Sequence, residues 1–156
     1  MSVNNSLASL AGNWSGINKL YMSWTPETLS ESTSTAAVGL KVNGQFVEIG
    51  YTWEFEGKPQ EGVIVIGCDT KSNAVQAVWR DSWHMSHKFM LCDGAISDDG
   101  LVNITGSYQV PDNPDWGWRT EIVPGNDNFR YRMFNVSPEG VEELAVDTEF
   151  SRVEKN

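Results

Sequence analysis

Two short segments concentrate the side chains that can bind or react. One is Trp79-Arg80-Asp81-Ser82-Trp83-His84-Met85, the other Pro114-Asp115-Trp116-Gly117-Trp118-Arg119. Each sets indole rings beside Asp, Arg or His. Small-molecule pockets are commonly lined this way, with an apolar wall for contact and a few polar groups for orientation. Buried beside aromatics, Asp81, Asp115 or Glu121 can serve as acid–base groups. Arg119 and Arg132 can pair with such acids as structural bridges, or grip a ligand carboxylate through two parallel hydrogen bonds. For any single Trp, filling a core is the favoured reading; for the set, a pocket and a packed core stand about even.

His84 and His87 are the only two histidines. An offset of three puts them on opposite faces of a strand, while on a turn they can converge. A metal site would draw further ligands from Asp81, Cys68 or Cys92. No H-E-x-x-H and no paired C-x-x-C is present, so satisfied or surface histidines are favoured over a metal centre. Ser82 beside Asp81 lacks a G-x-S-x-G elbow and triad geometry. No glycine-rich phosphate loop or dinucleotide fingerprint occurs, so no cofactor is implied.

The elements that must position these groups read as strands throughout. Runs rich in Val, Ile, Thr, Tyr, Phe and Trp alternate with Gly, Asn, Asp and Pro. The spacing predicts strands over 14–22, 33–41, 45–56, 61–69, 74–83, 87–95, 101–110, 116–123, 128–136 and 141–152. Asn43-Gly44 is a hairpin signal, because both residues accept positive φ. Connections too short for crossover helices make neighbours antiparallel. Leu7 and Leu10 are spaced for one helical turn that can plug a barrel end. Alternation puts Val47, Ile49, Tyr51, Trp53 and Phe55 on one face, and likewise Val75, Ala77, Trp79, Asp81 and Trp83.

The chain has 156 residues, with 21 acidic against 11 basic side chains and a formal charge of −10. A polyanion such as a nucleic acid, or an anionic membrane, would be repelled. The length suits one domain over 1–156. Two cysteines, Cys68 and Cys92, are too few for a disulfide scaffold. With no signal-like N-terminus and no apolar span, the cytoplasm is the expected compartment.

Gly12-Asn13-Trp14 opens the first strand, and Arg152 stands near the end of the last. This resembles the G-x-W of lipocalin and calycin barrels, in which an arginine from the far end of the chain stacks on the tryptophan and closes the barrel. The resemblance assigns Gly12, Trp14 and Arg152 a structural role. A wider similarity covers nearly the whole chain. It includes Leu10-Ala11-Gly12-Asn13-Trp14, Tyr51-Thr52-Trp53, Gly57-Lys58-Pro59-Gln60-Glu61-Gly62, Gly67-Cys68-Asp69, both tryptophan segments, Gly106-Ser107-Tyr108 and Met133-Phe134-Asn135-Val136. On these motifs the chain resembles the bacterial lipocalin-like proteins grouped as domain of unknown function 1579. That resemblance implies a barrel and a cavity and supplies no catalytic residues.

The expectation is therefore an all-β chain. It folds as a single antiparallel up-and-down barrel of lipocalin or calycin type, with roughly eight to ten strands and a short N-terminal helical turn; a sandwich is the competing architecture. A small hydrophobic or amphipathic molecule would bind in its cavity. Trp53, Trp79, Trp83, Tyr108, Trp116 and Trp118 would form the walls, and Asp81, His84, Arg119 and Arg132 the anchors. Binding is put ahead of catalysis. The alternatives are an enzyme using Asp81 or His84 as acid or base, haem binding through His84 or His87 as in the related barrel nitrobindin, and a filled barrel acting through its surface or as a homodimer.

Overall fold

The computed structural model describes residues 4–22 and 25–153. A single helical turn, α1 (Asn5–Ala8), precedes ten strands: β1 (Gly12–Met22), β2 (Thr25–Lys41), β3 (Phe46–Phe55), β4 (Lys58–Cys68), β5 (Ala74–Asp81), β6 (Met90–Ile96), β7 (Val102–Tyr108), β8 (Trp116–Pro124), β9 (Asn128–Val136) and β10 (Glu142–Arg152). Each strand pairs with its chain neighbour, and β1 pairs with β10, so the sheet closes into a barrel. All the pairings are antiparallel. Closure removes the unpaired edges that an open sheet would expose. Among the described residues, no helix is long and apolar enough to cross a membrane.

The expected strands are present with shifted ends, the largest shift being at β2, and those around the β5–β6 turn bear on the site. β2 begins at Thr25 rather than 33. Its inward stripe includes Ser30, Ser32 and Ser34, so no apolar alternation betrays it. Ser34 is buried and its hydroxyl donates to the Thr52 carbonyl at 2.7 Å, while Ser32 Oγ accepts the Glu54 N–H at 3.1 Å. β5 ends at Asp81 and β6 starts at Met90, which leaves Trp83, His84 and His87 in the connecting turn rather than on strands. Asn43-Gly44 does form the β2–β3 turn, and Val42 joins both in positive φ.

One end of the barrel is sealed. The Asn4 side chain caps α1 by accepting the Ser6 N–H at 2.8 Å. Leu7 and Leu10 are completely buried. Trp14 donates its indole N–H to the Leu10 carbonyl at 2.8 Å and meets Phe129 edge-on at 4.7 Å. The Arg152 guanidinium lies 4.2 Å over the Trp14 ring and donates to the carbonyls of Ala11 and Ser9 at 3.0 Å. Stacking of this kind contributes roughly 0.5–2 kcal/mol, and here it ties the two ends of the chain together.

The outer face carries the remaining ion pairs. Arg130 spans both carboxylate oxygens of Asp147. Arg119 bridges Glu121 and Glu142 at 2.6 and 2.7 Å, and Arg132 reaches Glu121 at 2.9 Å. Phe134 lies under the Arg119 guanidinium at 4.2 Å.

Candidate functional site

At the opposite end the barrel interior narrows onto one buried acid. Asp81, at the end of β5, is 1% exposed. Its Oδ2 accepts the Tyr51 hydroxyl at 2.7 Å and the Trp53 indole N–H at 3.2 Å. Its Oδ1 accepts the Trp83 backbone N–H at 2.8 Å. His84 Nδ1 lies 3.1 Å from the same Oδ1, close enough for an ion pair but not aligned as a hydrogen bond. Tyr51 in turn accepts the Trp79 indole N–H at 2.8 Å. Burial pushes the Asp81 carboxyl up, but His84, the Tyr51 hydroxyl and the Trp83 N–H together hold it below its ordinary value. Burial, then the Asp81 charge, drive Tyr51 far above the usual tyrosine range.

The backbone explains why Tyr51 can reach. In register, Tyr51 faces Gly62 on β4, and Gly62 faces Asp81 on β5. The tyrosine lies across the intervening strand: a Cβ on Gly62 would fall 2.3 Å from both Cζ and Oη of Tyr51. Only glycine leaves that passage open. The Gly62 motif is visible in the sequence, but its purpose is not.

Above Asp81, His84 sits among four indoles, with ring centroids 4.8 Å to Trp83, 5.3 Å to Trp118, 5.4 Å to Trp79 and 5.8 Å to Trp53. Trp79 and Trp118 stack at 5.3 Å, nearly parallel. A cleft of about 430 Å³ opens over this cluster, walled by Leu20, Met22, Trp83, His84, Trp118, Asn135, Leu144 and Ala145, with Glu143 at its edge. Beneath it the interior is nearly full. The gap between Tyr51, Trp53, Asp81, His84 and Tyr131 is about 10 Å³, no more than one water.

The expected hollow, tryptophan-lined cylinder is thus a packed barrel with an open mouth. Trp53 and Trp79 are core residues. Trp83, His84 and Trp118 line the cleft. Asp81 lies under its floor, with its oxygens engaged by protein. Tyr108 is half-buried and donates to Asn135 Oδ1 at 2.6 Å, so it acts on the cleft through Asn135. Trp116 pairs with Tyr108 in register and is not part of the wall. Arg119 and Arg132 lie on the outer face, because Trp118, Thr120, Tyr131 and Met133 take the inward positions. They hold Glu121 and Glu142, and the ligand-anchor role expected of them has no access to the cleft. Asp115 and His87 are exposed. Ser82 points outward, donating to Gln60 Oε1 at 2.7 Å. The sequence reading missed Tyr51 as a site residue, and also Leu20, Met22, Asn135, Leu144 and Ala145. The last five come from the end of β1, the end of β9 and the start of β10, and only barrel closure brings them together.

Two ring nitrogens at the cleft floor stand out. Trp118 Nε1 and His84 Nε2 are buried and have no hydrogen-bond partner among the described residues. Leaving a buried polar group unpaired costs about 1–3 kcal/mol. Haem does not fit the histidine as arranged: Nε2 is covered, with Trp83 and Trp118 packed on the ring, and a planar macrocycle would have to part both indoles. Among the described residues, no group of three or more His, Cys, Asp or Glu side chains converges as a metal site.

The sequence pattern of a family described as "Protein of unknown function (DUF1579)" matches residues 2–152. No curated protein matches the chain. Among solved structures, Rv2717c from M. tuberculosis is similar with a TM-score of 0.71 at 13% identity, covering 98% of this chain and 100% of that one. An S-type phycobiliprotein lyase, CPES, from Guillardia theta is similar with a TM-score of 0.64 at 11% identity, covering 100% of this chain and 95% of that one. Both likenesses are of fold.

Proposed function

Because the chain belongs to the DUF1579 family, which brings no assigned activity with it, we propose from the geometry that it binds a small amphipathic molecule in the cleft at the barrel mouth. One observation carries this reading. The cleft sets an apolar wall of Leu20, Met22, Leu144 and Ala145 over two buried, unpartnered ring nitrogens. An apolar body on the wall and one polar atom on the floor would relieve both the exposed apolar surface and the unpaired groups. Reaching the floor requires half-buried Trp83, which packs on the His84 ring, to move aside. The phycobiliprotein lyase is one case of a barrel of this shape acting on another molecule.

Displacement of a fluorescent apolar probe tests the proposal. Ala145 lies at the β10 bulge, between the residues paired to Phe134 and Met133, and lines the cleft. Ala145→Trp should fill the cleft and weaken probe binding more than about tenfold, with the far-UV spectrum unchanged. Equal binding by the two proteins removes the proposal. The 3.1 Å approach of His84 to Asp81 favours a second reading, in which His84 moves a proton to or from the bound molecule. Turnover of small esters or carbonyl compounds by wild type but not by His84→Gln would support it. A wild type inert on the whole set would remove it.

A further inference from the structure

We propose that the cleft selects its occupant by head-group polarity: it accepts an oxygen acceptor, a carboxylate or carbonyl carried on an apolar chain, and rejects a cationic or donor head. This rests on the reading of the cleft as a binding site and adds the chemistry of the ligand.

The argument is a count of lone pairs and N–H groups around the floor. Asp81 already receives the Tyr51 hydroxyl, the Trp53 indole and the Trp83 backbone N–H, with His84 Nδ1 beside it. The Tyr51 oxygen is used in both directions. The Asn135 side-chain carbonyl accepts the Tyr108 hydroxyl at 2.6 Å, which leaves its amide N–H₂ as the free part of that side chain. The side-chain acceptors of Asp81, Tyr51 and Asn135 are therefore engaged.

What remains are donors. An indole N–H can only donate, and that of Trp118 has no partner among the described residues. His84 Nδ1 faces the Asp81 carboxylate at 3.1 Å, and its Nε2 has no partner among the described residues. Trp118 Nε1 and the Asn135 amide are thus the donors that the floor leaves free. Glu143 is the acidic residue of the lining, and it lies at the exposed edge.

The test compares decanoate, methyl decanoate and decylamine at equal chain length, by isothermal calorimetry on the whole protein at pH 7. The acid or the ester, or both, should bind about tenfold or more tightly than the amine. Preference for the acid over the ester identifies a carboxylate site, and the converse a carbonyl site. Trp118→Phe and Asn135→Leu, each checked for folding by circular dichroism, should retain chain binding and lose most of the discrimination. Equal binding of all three by wild type overturns the polarity proposal while leaving the cleft as a general apolar site. Tighter binding of the amine overturns it outright. Failure of all three to bind overturns the binding reading itself.

Discussion

Tyr51→Phe is the sharpest perturbation of the buried network. It deletes one oxygen and leaves the ring in place, so no large cavity forms. Two bonds go: the hydroxyl's donation to Asp81 at 2.7 Å and its acceptance of the Trp79 N–H at 2.8 Å. The first is a hydrogen bond to a charged group, about 1.5–3 kcal/mol net. The second leaves a buried indole N–H unpaired, about 1–3 kcal/mol. The gap left by the hydroxyl recovers none of this, so the expected loss is roughly 4 kcal/mol, within a range of about 2.5–6. For a chain of this length that is a fall in Tm of roughly 8–16 °C. Urea unfolding followed by circular dichroism and by fluorescence, with coincident transitions, measures it. The pH dependence is a second constraint. The folded chain holds the Asp81 carboxyl below its unfolded value of 3.8, so the unfolded chain binds the proton more readily. The resulting stability is complete above about pH 4 and is lost as acid protonates the folded carboxyl. The variant lacks one bond that favours the charged form, so the gap to wild type should narrow as pH falls below about 4. A loss under about 1 kcal/mol at pH 7, or a gap that widens in acid, refutes the assignment of Tyr51 as a partner of charged Asp81.

Gly62→Ala should destabilise by about 1–3 kcal/mol through forced movement of the Tyr51 ring, and Tyr51→Phe should cost less in that background than alone; strict additivity of the two in urea unfolding would contradict the passage across β4. Arg152→Lys removes the stacked plane over Trp14 and should cost about 1–2 kcal/mol in thermal melts while leaving cleft binding unaltered; unchanged stability would show that the closure contributes nothing. Burial, then nearby Asp93, pushes the Cys92 thiol up to about 11, so at pH 7.4 iodoacetamide should label Cys92 only after denaturation; rapid labelling of native Cys92, read by peptide mass spectrometry, would contradict its burial. Arg119→Ala should leave probe binding unchanged and cost about 1 kcal/mol or less, falling further in salt; lost binding would return Arg119 to the site.

The legible part of this fold was written in local pattern. Alternation in 46–55, Asn43-Gly44 and the other turn signals, and short connections fixed strand number and antiparallel order, because each acts over a few residues. β2 was the weak point, since its inward serines carry no hydrophobic signal. The candidate site was half legible. Aromatics beside polar groups singled out Trp83, His84, Trp118 and Asp81, which the fold places at or beneath the cleft, yet the same reasoning recruited Arg119 and Arg132, which it places on the outer face. Period two alone leaves open which of two mixed faces points inward, and an arginine among acids reads equally well as an anchor or as a bridge.

Residue types along the chain determined that antiparallel strands would form and where they would turn; closure of the sheet and the indole–guanidinium stack at one end were implied by the resemblance to lipocalin barrels and are present in the fold. Three things needed the third dimension: that Tyr51 passes over Gly62 to an acid two strands away, that the interior is nearly full beneath an open mouth, and that the ends of β1 and β9 meet the start of β10 to wall it. The reason is register. Which side chains meet across strands, and which donors are left without an acceptor, depend on pairings between residues far apart in sequence, to which local periodicity is blind.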